Sequence, residues 1–351
     1  MKKILFFLLL ASFFVTGCAL QFNQPKNKNI VAGVFKSFDR GYNWKTKNLF
    51  LNSGGTGSIV GINVGSLIFD PQDRQAIYLL SVDAGMFYTY DGAASWMKAN
   101  GLADKKVRSL VIDPENKCVL YAAVDNTIVK SVDCSRSWQE VYIDTRSDKV
   151  LTAVAIDSYN NLIVYSGNNS GEIFKSFDGG NNWQRIHKLS NKIAKILIDP
   201  YDTRIIYVAT NEKGIHKSAD GGANWGNINA GLKKYSAAFE FRDLFFNPTK
   251  QDSLLLVSKY GLIKTDDGGL TWEPYKLITP PTSVNIYGVA INPKDEREII
   301  YSTQSTFYRT TDGGKNWVTK RLPTAGTASV LEFDPKDPNI VYMGVRSLET
   351  K

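Results

Sequence analysis

The residue types that most often carry catalysis are scarce in this sequence. It contains two histidines, His187 and His216, and three cysteines, Cys18, Cys118 and Cys134. No group of His, Cys or carboxylate residues has the spacing of metal ligands, and neither histidine lies in a pattern typical of a nucleophile and its base. The sequence therefore predicts no metal site, no cofactor and no His-based catalytic triad.

One motif repeats along the whole chain. All seven tryptophans stand five residues after an aspartate, mostly within the pattern Ser/Thr-x-Asp-x-Gly-x-x-Trp. The aspartates are Asp39, Asp91, Asp133, Asp178, Asp220, Asp267 and Asp312, and the tryptophans are Trp44, Trp96, Trp138, Trp183, Trp225, Trp272 and Trp317. Asp and the preceding Ser or Thr can hydrogen-bond the backbone of a tight turn, and Gly supplies positive φ. We predict a structural hairpin turn, with the Trp ring buried by the next strand.

A second turn alternates with the first. It is centred on Asp70-Pro71, Asp113-Pro114, Asp157-Ser158, Asp199-Pro200, Asn247-Pro248, Asn292-Pro293 and Asp334-Pro335. Each of these turns follows a three-residue apolar or nearly apolar run, which suits an inner strand covered on both faces, and precedes an Ile/Val/Leu-rich strand that usually carries a Tyr. The unit from one such turn to the next motif therefore holds two hairpins, or four antiparallel strands, which is one propeller blade.

The ends of the repeat predict how the ring closes. The last turn of the second type, at Asp334, has no Asp-Trp motif after it, and the first motif, at Asp39, has no second-type turn before it. We expect strands around Val31 to Trp44 to pair with those around Val330 to Val345, which removes free sheet edges. The predicted fold is all-β: a seven-bladed β-propeller over residues 30–351, with four antiparallel strands per blade, whose N-terminal hairpin completes the C-terminal blade.

The N-terminal segment has the layout of an export signal. Lys2 and Lys3 precede an apolar run that ends in Val15-Thr16-Gly17-Cys18, and this ending resembles the lipobox of bacterial lipoproteins. We predict a signal peptide over residues 1–17, lipidation of Cys18 and a polar tether over 18–29, with a plain cleaved signal as the alternative. The protein is then expected outside the cytoplasm, anchored by lipid to a bacterial membrane.

Charge and cysteines add two expectations. The net charge of +8 becomes +6 when Lys2 and Lys3 are removed, an excess that favours an anionic lipid surface or an acidic partner; no nucleic acid is expected of an exported protein. Cys118 and Cys134 are equidistant from residue 126, where a hairpin turns, so we expect them opposite each other on neighbouring strands and joined by a disulfide.

Specificity is expected on the face of the propeller opposite the repeated turns, where the connections differ between blades. The channel mouth there is predicted from the residues five positions before each second-type turn: Gly65, Arg108, Thr152, Ala194, Arg242, Tyr287 and Ser329. With the neighbouring Lys195 and Asp243, we predict partner binding by Arg108, Lys195, Arg242, Asp243 and Tyr287. Solvated charge at strand ends is the alternative for the basic residues. The Gly-rich segment within Lys45 to Gly65 is either a lid over the mouth or a plain crossover.

The repeated motif is identified as the Asp-box, or BNR repeat, of sialidases, sortilin-type receptors and related propellers. A sialidase needs an arginine triad, a Tyr nucleophile and its supporting acid, and the Arg-Ile-Pro element typical of that family is absent from this sequence. Ser81-Val82-Asp83-Ala84-Gly85 resembles the xyloglucanase loop that carries one catalytic aspartate. That family places its second carboxylate in a second propeller, and glycoside hydrolysis needs two. Asp83 is therefore interpreted as a turn residue and no catalytic residue is assigned, with a catalytic role of Asp83 as the alternative.

The mature chain as a whole resembles the photosystem II stability and assembly factor family, seven-bladed Asp-box propellers often made as lipoproteins. This resemblance implies a membrane-tethered binding scaffold that assists assembly or stability of a membrane protein complex. We favour a non-enzymatic role because the propeller scaffold is complete and a catalytic constellation is not. A glycan-binding or glycoside-hydrolase-like propeller is the alternative. Sugar stacking by Tyr287 would favour it, whereas the use of every Trp by an Asp-box argues against it.

Overall fold

The computed structural model describes residues 32–347. The predicted signal peptide (1–17), the lipidated Cys18 and the tether (18–29) lie outside the described residues. Within the described part, the strands form seven four-stranded antiparallel sheets and one separate two-stranded hairpin. The predicted all-β seven-bladed propeller with four strands per blade is confirmed.

Each blade begins at the central channel and ends at the rim. Blades 1 to 3 are β5 (Val64–Phe69), β6 (Ile77–Ser81), β7 (Met86–Thr89) and β8 (Met97–Lys98); β9 (Val107–Ile112), β10 (Leu120–Val124), β11 (Thr127–Ser131) and β12 (Gln139–Ile143); and β13 (Leu151–Ile156), β14 (Val164–Asn168), β15 (Glu172–Ser176) and β16 (Gln184–Lys188). Blades 4 to 6 are β17 (Ile193–Ile198), β18 (Ile206–Thr210), β19 (Ile215–Ser218) and β20 (Gly226–Asn227); β21 (Phe241–Phe246), β22 (Leu254–Ser258), β23 (Leu262–Thr265) and β24 (Glu273–Pro274); and β25 (Val289–Asn292), β26 (Asp295–Ser302), β27 (Thr306–Thr310) and β28 (Val318–Arg321). A 3-10 turn, Ala230–Leu232, follows β20.

Blade 7 combines the two ends of the described chain. It contains β29 (Thr327–Phe333), β30 (Val341–Arg346), β1 (Gly33–Ser37) and β2 (Lys45–Thr46), in that order from the channel outward. β1 and β30 are antiparallel, with a register that runs from Gly33 opposite Val345 to Ser37 opposite Val341. The predicted ring closure is therefore confirmed, and β1 is buried along its whole length.

Every Asp-box forms the same hydrogen-bonded turn. The Ser or Thr hydroxyl donates to the carboxylate of the box Asp in all seven blades. The backbone N–H four residues after each Asp donates to that carboxylate as well. In the third blade, hydrogen bonds from the side chain and backbone N–H of Asn182 hold the pKa of Asp178 at about 2. These carboxylates are occupied in building turns.

In several blades, a lysine and a tyrosine hydrogen-bond the Asp-box turn of the next blade. Lys130 Nζ and the Tyr121 hydroxyl of blade 2 both donate to the Gly179 carbonyl of blade 3, each at 2.8 Å. Lys175 and Tyr165 bind Gly221 in the same way at 2.9 and 3.0 Å. At the closure, Lys36 and Tyr342 of blade 7 bind the corresponding Gly92 of blade 1. The tyrosines of the second strands thus join neighbouring blades.

Cys118 and Cys134 form a disulfide in blade 2, as predicted. They lie just beyond the paired ends of β10 and β11, with Cys134 in the Asp-box turn, rather than opposite each other within the strands. The Cys134 N–H also donates to the Cys118 carbonyl at 3.1 Å. The other six blades make the equivalent backbone hydrogen bond, as from Gly179 to Leu162. The disulfide therefore reinforces a contact that the fold already uses.

Replacing both cysteines by serine is expected to lower the free energy of unfolding by about 3 kcal/mol, because the disulfide closes a loop of 16 residues. Urea denaturation of the oxidised protein and of the double variant measures this difference. Since the Cys134–Cys118 backbone hydrogen bond persists, we expect the far-UV spectrum to stay unchanged. Rapid alkylation of both thiols in the native, unreduced protein would contradict the bridge.

The segment after the first Asp-box is not a lid. β3 (Leu49–Asn52) and β4 (Gly55–Ser58) form a hairpin, and β3 hydrogen-bonds Trp96 at the rim of blade 1 through Leu51 N–H and Leu49 C=O, each at 2.8 Å. The Phe50 ring packs edge-on against Phe87 at 5.9 Å. Residues 45–62 do not line the channel. The expectation of a lid is wrong because the strand's backbone groups find partners at the rim.

Candidate functional site: the channel mouth

The inner strands of the seven blades enclose one cavity of about 690 Å³ along the propeller axis. All seven residues predicted for the channel mouth line it: Gly65, Arg108, Thr152, Ala194, Arg242, Tyr287 and Ser329. A bulge interrupts the pairing near the mouth in most inner strands, for example between Val64 and Ser66. Side chains from several blades thereby converge on a single opening.

The arginines at the mouth are poorly satisfied. Arg108 is half-buried, and its Nε has no hydrogen-bond partner within residues 32–347. Arg242 is exposed and makes one long hydrogen bond, 3.3 Å, from its Nη2 to Asn285 Oδ1. Guanidinium groups without a carboxylate partner at an opening suit carboxylates, which they bind through two parallel hydrogen bonds.

A third arginine, Arg346, was missed by the sequence analysis. It stands at the end of β30, and its Nε donates to the Val64 carbonyl at 2.9 Å, which brings the guanidinium to Gly65 at the mouth. Desolvation by burial lowers its pKa. The prediction counted positions only along the inner strands, whereas Arg346 reaches the opening from β30, the second strand of blade 7.

Lys195 and Asp243 neutralise each other. Lys195 Nζ lies 2.6 Å from Asp243 Oδ1 and 4.5 Å from the centre of the Phe245 ring. The predicted basic patch of Arg108, Lys195 and Arg242 therefore changes in composition, with Arg346 in the place of Lys195. The structure positions these side chains together with Tyr287, and their contact with a partner stays a prediction.

Glu332 lies deeper in the channel, on β29, and was also missed. Its side chain is partly exposed to the channel, and desolvation raises its pKa to about 8, against a smaller opposing effect of Lys195. A signal for it existed in the sequence. Among the seven apolar runs that precede the second-type turns, Leu331-Glu332-Phe333 is interrupted by a charge.

Asp83 occupies a turn, as interpreted from the sequence. Its Oδ1 accepts a hydrogen bond from the Ser81 hydroxyl at 2.8 Å, and its Oδ2 accepts one from Asn63 Nδ2 at 2.7 Å. Both carboxylate oxygens are thus engaged by neutral donors of the same blade. Over residues 32–347, no three His, Cys, Asp or Glu side chains are grouped so that they could hold a metal ion.

The described chain begins at the same face. Gly33, at the start of β1, is opposite Val345, and Arg346 beside it contacts the mouth. Ala32 therefore lies on the mouth side of blade 7, away from the Asp-box turns. Among the helices of residues 32–347, none has the length and apolar character needed to cross a membrane.

Comparisons with known proteins agree with this architecture. Residues 171–275, from blade 3 through blade 5, match the Sortilin-Vps10 family model, described as sortilin, neurotensin receptor 3. A xyloglucanase of Hypocrea jecorina (strain QM6a) is 25% identical over 181 residues, which cover 45% of this chain and 20% of that enzyme. The chain thus spans a fifth of the length of this curated relative.

Solved propellers share the fold at low sequence identity. The GH74 enzyme of Niastella koreensis superimposes with a TM-score of 0.64 and 18% identity, covering 81% of this chain and 51% of that one. YCF48 from Cyanidioschyzon merolae gives 0.62 and 14%, covering 84% and 98%, and YCF48 bound to a D1 peptide gives 0.61 and 17%, covering 83% and 94%. The chain is thus a seven-bladed Asp-box β-propeller that resembles YCF48, the photosystem II assembly factor, as well as sortilin-type and xyloglucanase propellers.

Proposed function

We propose that this protein is a membrane-anchored, extracytoplasmic binding scaffold whose channel mouth holds an acidic segment of a membrane protein while a complex assembles. The observation that carries the proposal is the convergence of Arg108, Arg242 and Arg346 on one opening, where Arg108 Nε lacks a partner within the described residues. Carboxylates are the protein groups that such guanidinium groups recognise best.

The position of the chain's entry supports a partner at the membrane. From the predicted lipidated Cys18 to Ala32 the chain has about 14 residues, which reach about 50 Å at most. Because Ala32 lies on the mouth side of blade 7, an anchor at Cys18 keeps the mouth close to the membrane surface. A juxtamembrane segment or an extramembrane terminus of a membrane protein is within reach of this opening.

Two further observations favour a peptide ligand. YCF48, which has the same fold and nearly the same length, has been solved with a D1 peptide bound. The walls of the channel combine the mouth arginines with apolar side chains such as Leu80 and Phe241, a mixture that suits a peptide more than a highly hydroxylated sugar. Anionic lipid headgroups would share the charge of an acidic peptide, so the experiment must separate the two.

The alternative function is glycan binding or glycoside hydrolysis. The identity to a xyloglucanase over 181 residues favours it. The geometry of Asp83 does not favour this alternative, because both of its carboxylate oxygens already accept hydrogen bonds, from Ser81 and Asn63. An acid–base pair would need a second carboxylate within about 10 Å of it.

The test is crosslinked affinity capture of the lipidated protein from its own envelope. Capture of one membrane protein is expected to fall at least tenfold in an Arg108→Glu/Arg242→Glu variant, because charge reversal repels an acidic segment. The matched control is Arg204→Glu/Arg297→Glu, which makes the same charge change on the Asp-box face, where these exposed arginines pair with Asp202 and Asp295.

Equal losses in both variants would contradict the mouth as the contact site. A second outcome is that no protein is captured, while residues 32–347 bind anionic vesicles and the mouth variant does not. This outcome would identify lipid as the partner. If neither protein nor lipid is bound, polysaccharide hydrolysis with an Asp83→Ala control tests the alternative.

A further inference from the structure

Glu332 breaks a pattern that the other six blades keep. The residue two positions before each second-type turn lies on the inner strand, and these residues are Ile68, Val111, Ala155, Leu197, Phe245, Ala290 and Glu332. Six of them are apolar, as expected for inner-strand positions deep in a packed propeller. A carboxyl group among them loses hydration, which is costly unless something in the channel compensates it.

No hydrogen bond and no ion pair in the described part of the chain compensates this loss of hydration. The Glu332 carboxyl makes no hydrogen bond and no ion pair within residues 32–347, although its side chain is partly exposed to the cavity. Lys195, whose charge acts on Glu332, is paired with Asp243 at 2.6 Å. The channel therefore contains a carboxyl group that is not paired with a cation, and the mouth above it carries three arginines.

We propose that Glu332 forms a second binding site in the channel, which takes a primary ammonium group carried on an aliphatic chain, such as a lysine side chain or an amino terminus. The apolar walls formed by Ile68, Val111 and Leu197 would contact the methylene groups. The cavity of about 690 Å³ has the volume of a small-molecule or side-chain site. A single carboxylate is too few ligands for a divalent metal ion.

The site is separate from the proposed contact at the mouth. Glu332 lies three residues along β29 from Ser329 of the mouth, about 10 Å at the rise of an extended strand. The mouth arginines attract acids and repel cations, so the two sites differ in charge preference. A ligand that carries both charges, with its acid at the mouth and its ammonium group in the channel, would occupy both.

Proton linkage gives the site a distinctive pH dependence. Burial raises the pKa of Glu332 to about 8, and the charged groups that face it are Lys195 on β17 and Asp243 on β21. The equivalent positions on β5, β9, β13 and β25 are apolar, and Arg108, Arg242 and Arg346 lie nearer the mouth. At pH 7 Glu332 is mostly protonated, and an ammonium group favours the ionised form. Binding then releases about one proton at pH 7, and the affinity rises about tenfold between pH 7 and pH 9.

In the experiment, the propeller formed by residues 32–347 is titrated with Nα-acetyl-lysine-methylamide. The side-chain ammonium group of this probe stays charged to pH 9, and the probe has no carboxylate that the mouth arginines could bind. Methyl resonances of Ile68, Val111 and Leu197 report binding at the site itself. Leucine amide tests an amino terminus as the alternative source; its amine loses its charge near pH 8, so its affinity should pass through a maximum there. Nε-acetylated lysine is the uncharged control.

The expected result is a saturable shift of these methyl resonances. For the lysine probe, the affinity should be about tenfold higher at pH 9 than at pH 7, and at least tenfold lower in Glu332→Gln than in the wild type. The Arg108→Glu/Arg242→Glu variant should retain them, so loss of partner capture at the mouth leaves this site intact. Absence of shifts for both amines at every pH, or equal shifts in Glu332→Gln, would overturn the proposal. If Glu332→Gln fails to fold, the proton release of the wild type, measured by calorimetry in two buffers, decides the matter.

Discussion

Deletion of residues 1–47 is expected to abolish cooperative folding of the propeller. The deletion removes β1 and β2, and with them the five-residue pairing of β1 with β30. Val34 is fully buried and Phe35 nearly so, and each such side chain contributes about 1.5–3 kcal/mol. The contact of Lys36 with Gly92, which joins blade 7 to blade 1, is lost as well. These losses together approach the whole stability of a typical domain.

Thermal unfolding followed by circular dichroism measures this effect, with a deletion of residues 1–31 as the control that leaves every described contact in place. A synthetic peptide of residues 32–47, added in trans, should restore a cooperative transition, because it supplies the missing strands. An unchanged unfolding midpoint after deletion of residues 1–47 would show that the ring does not need its closure.

Trp272→Ala is expected to lower the free energy of unfolding by about 3–5 kcal/mol, because it truncates one of the two fully buried Asp-box tryptophans, Trp96 and Trp272. The Trp272 side chain is 1% exposed, and its Nε1 donates to the Ile228 carbonyl of the preceding blade at 3.1 Å. The Tyr235 hydroxyl donates to the Trp272 carbonyl at 2.9 Å. Removal of the ring therefore leaves a cavity in the core between blades 4 and 5.

Trp317→Ala is the matched control, because this Trp has the same place in its box but a partly exposed ring. It also bonds the preceding blade, through Nε1 to the Lys276 carbonyl at 2.9 Å. Chemical denaturation of the two variants should give a loss at least twice as large for Trp272→Ala. Equal losses would mean that the inter-blade hydrogen bond, and not burial of the ring, sets the stability.

Periodicity made the architecture predictable. Seven Asp-boxes and seven second-type turns fix the number of blades, and the unmatched turns at Asp39 and Asp334 reveal the closure. The seven mouth positions followed from counting along inner strands, because a strand places equivalent residues at equivalent heights. The joining of Cys118 to Cys134 followed from the symmetry of one hairpin.

The contacts between blades could not be predicted from the repeat pattern. The tyrosines of the second strands were recognised as a pattern, yet their hydrogen bonds to turn carbonyls of the next blade depend on how blades pack. The pairing of Lys195 with Asp243 and the approach of Arg346 to the mouth arise in the same way, across blade boundaries. The lid expectation failed because a Gly-rich segment has no side-chain pattern that would reveal its backbone pairing with Trp96.

The split composition of blade 7 has a consequence for the order in which the molecule can form. During synthesis β1 is made before blades 1 to 6 and its partner β30 after them, more than 300 residues later. Blades 1 to 6 can each form from contiguous chain as it emerges, whereas β1 must wait with its edge unpaired until β30 has been made. Whatever shields that strand in the interval, whether a chaperone or transient pairing with a neighbour, acts on a time set by the length of the chain.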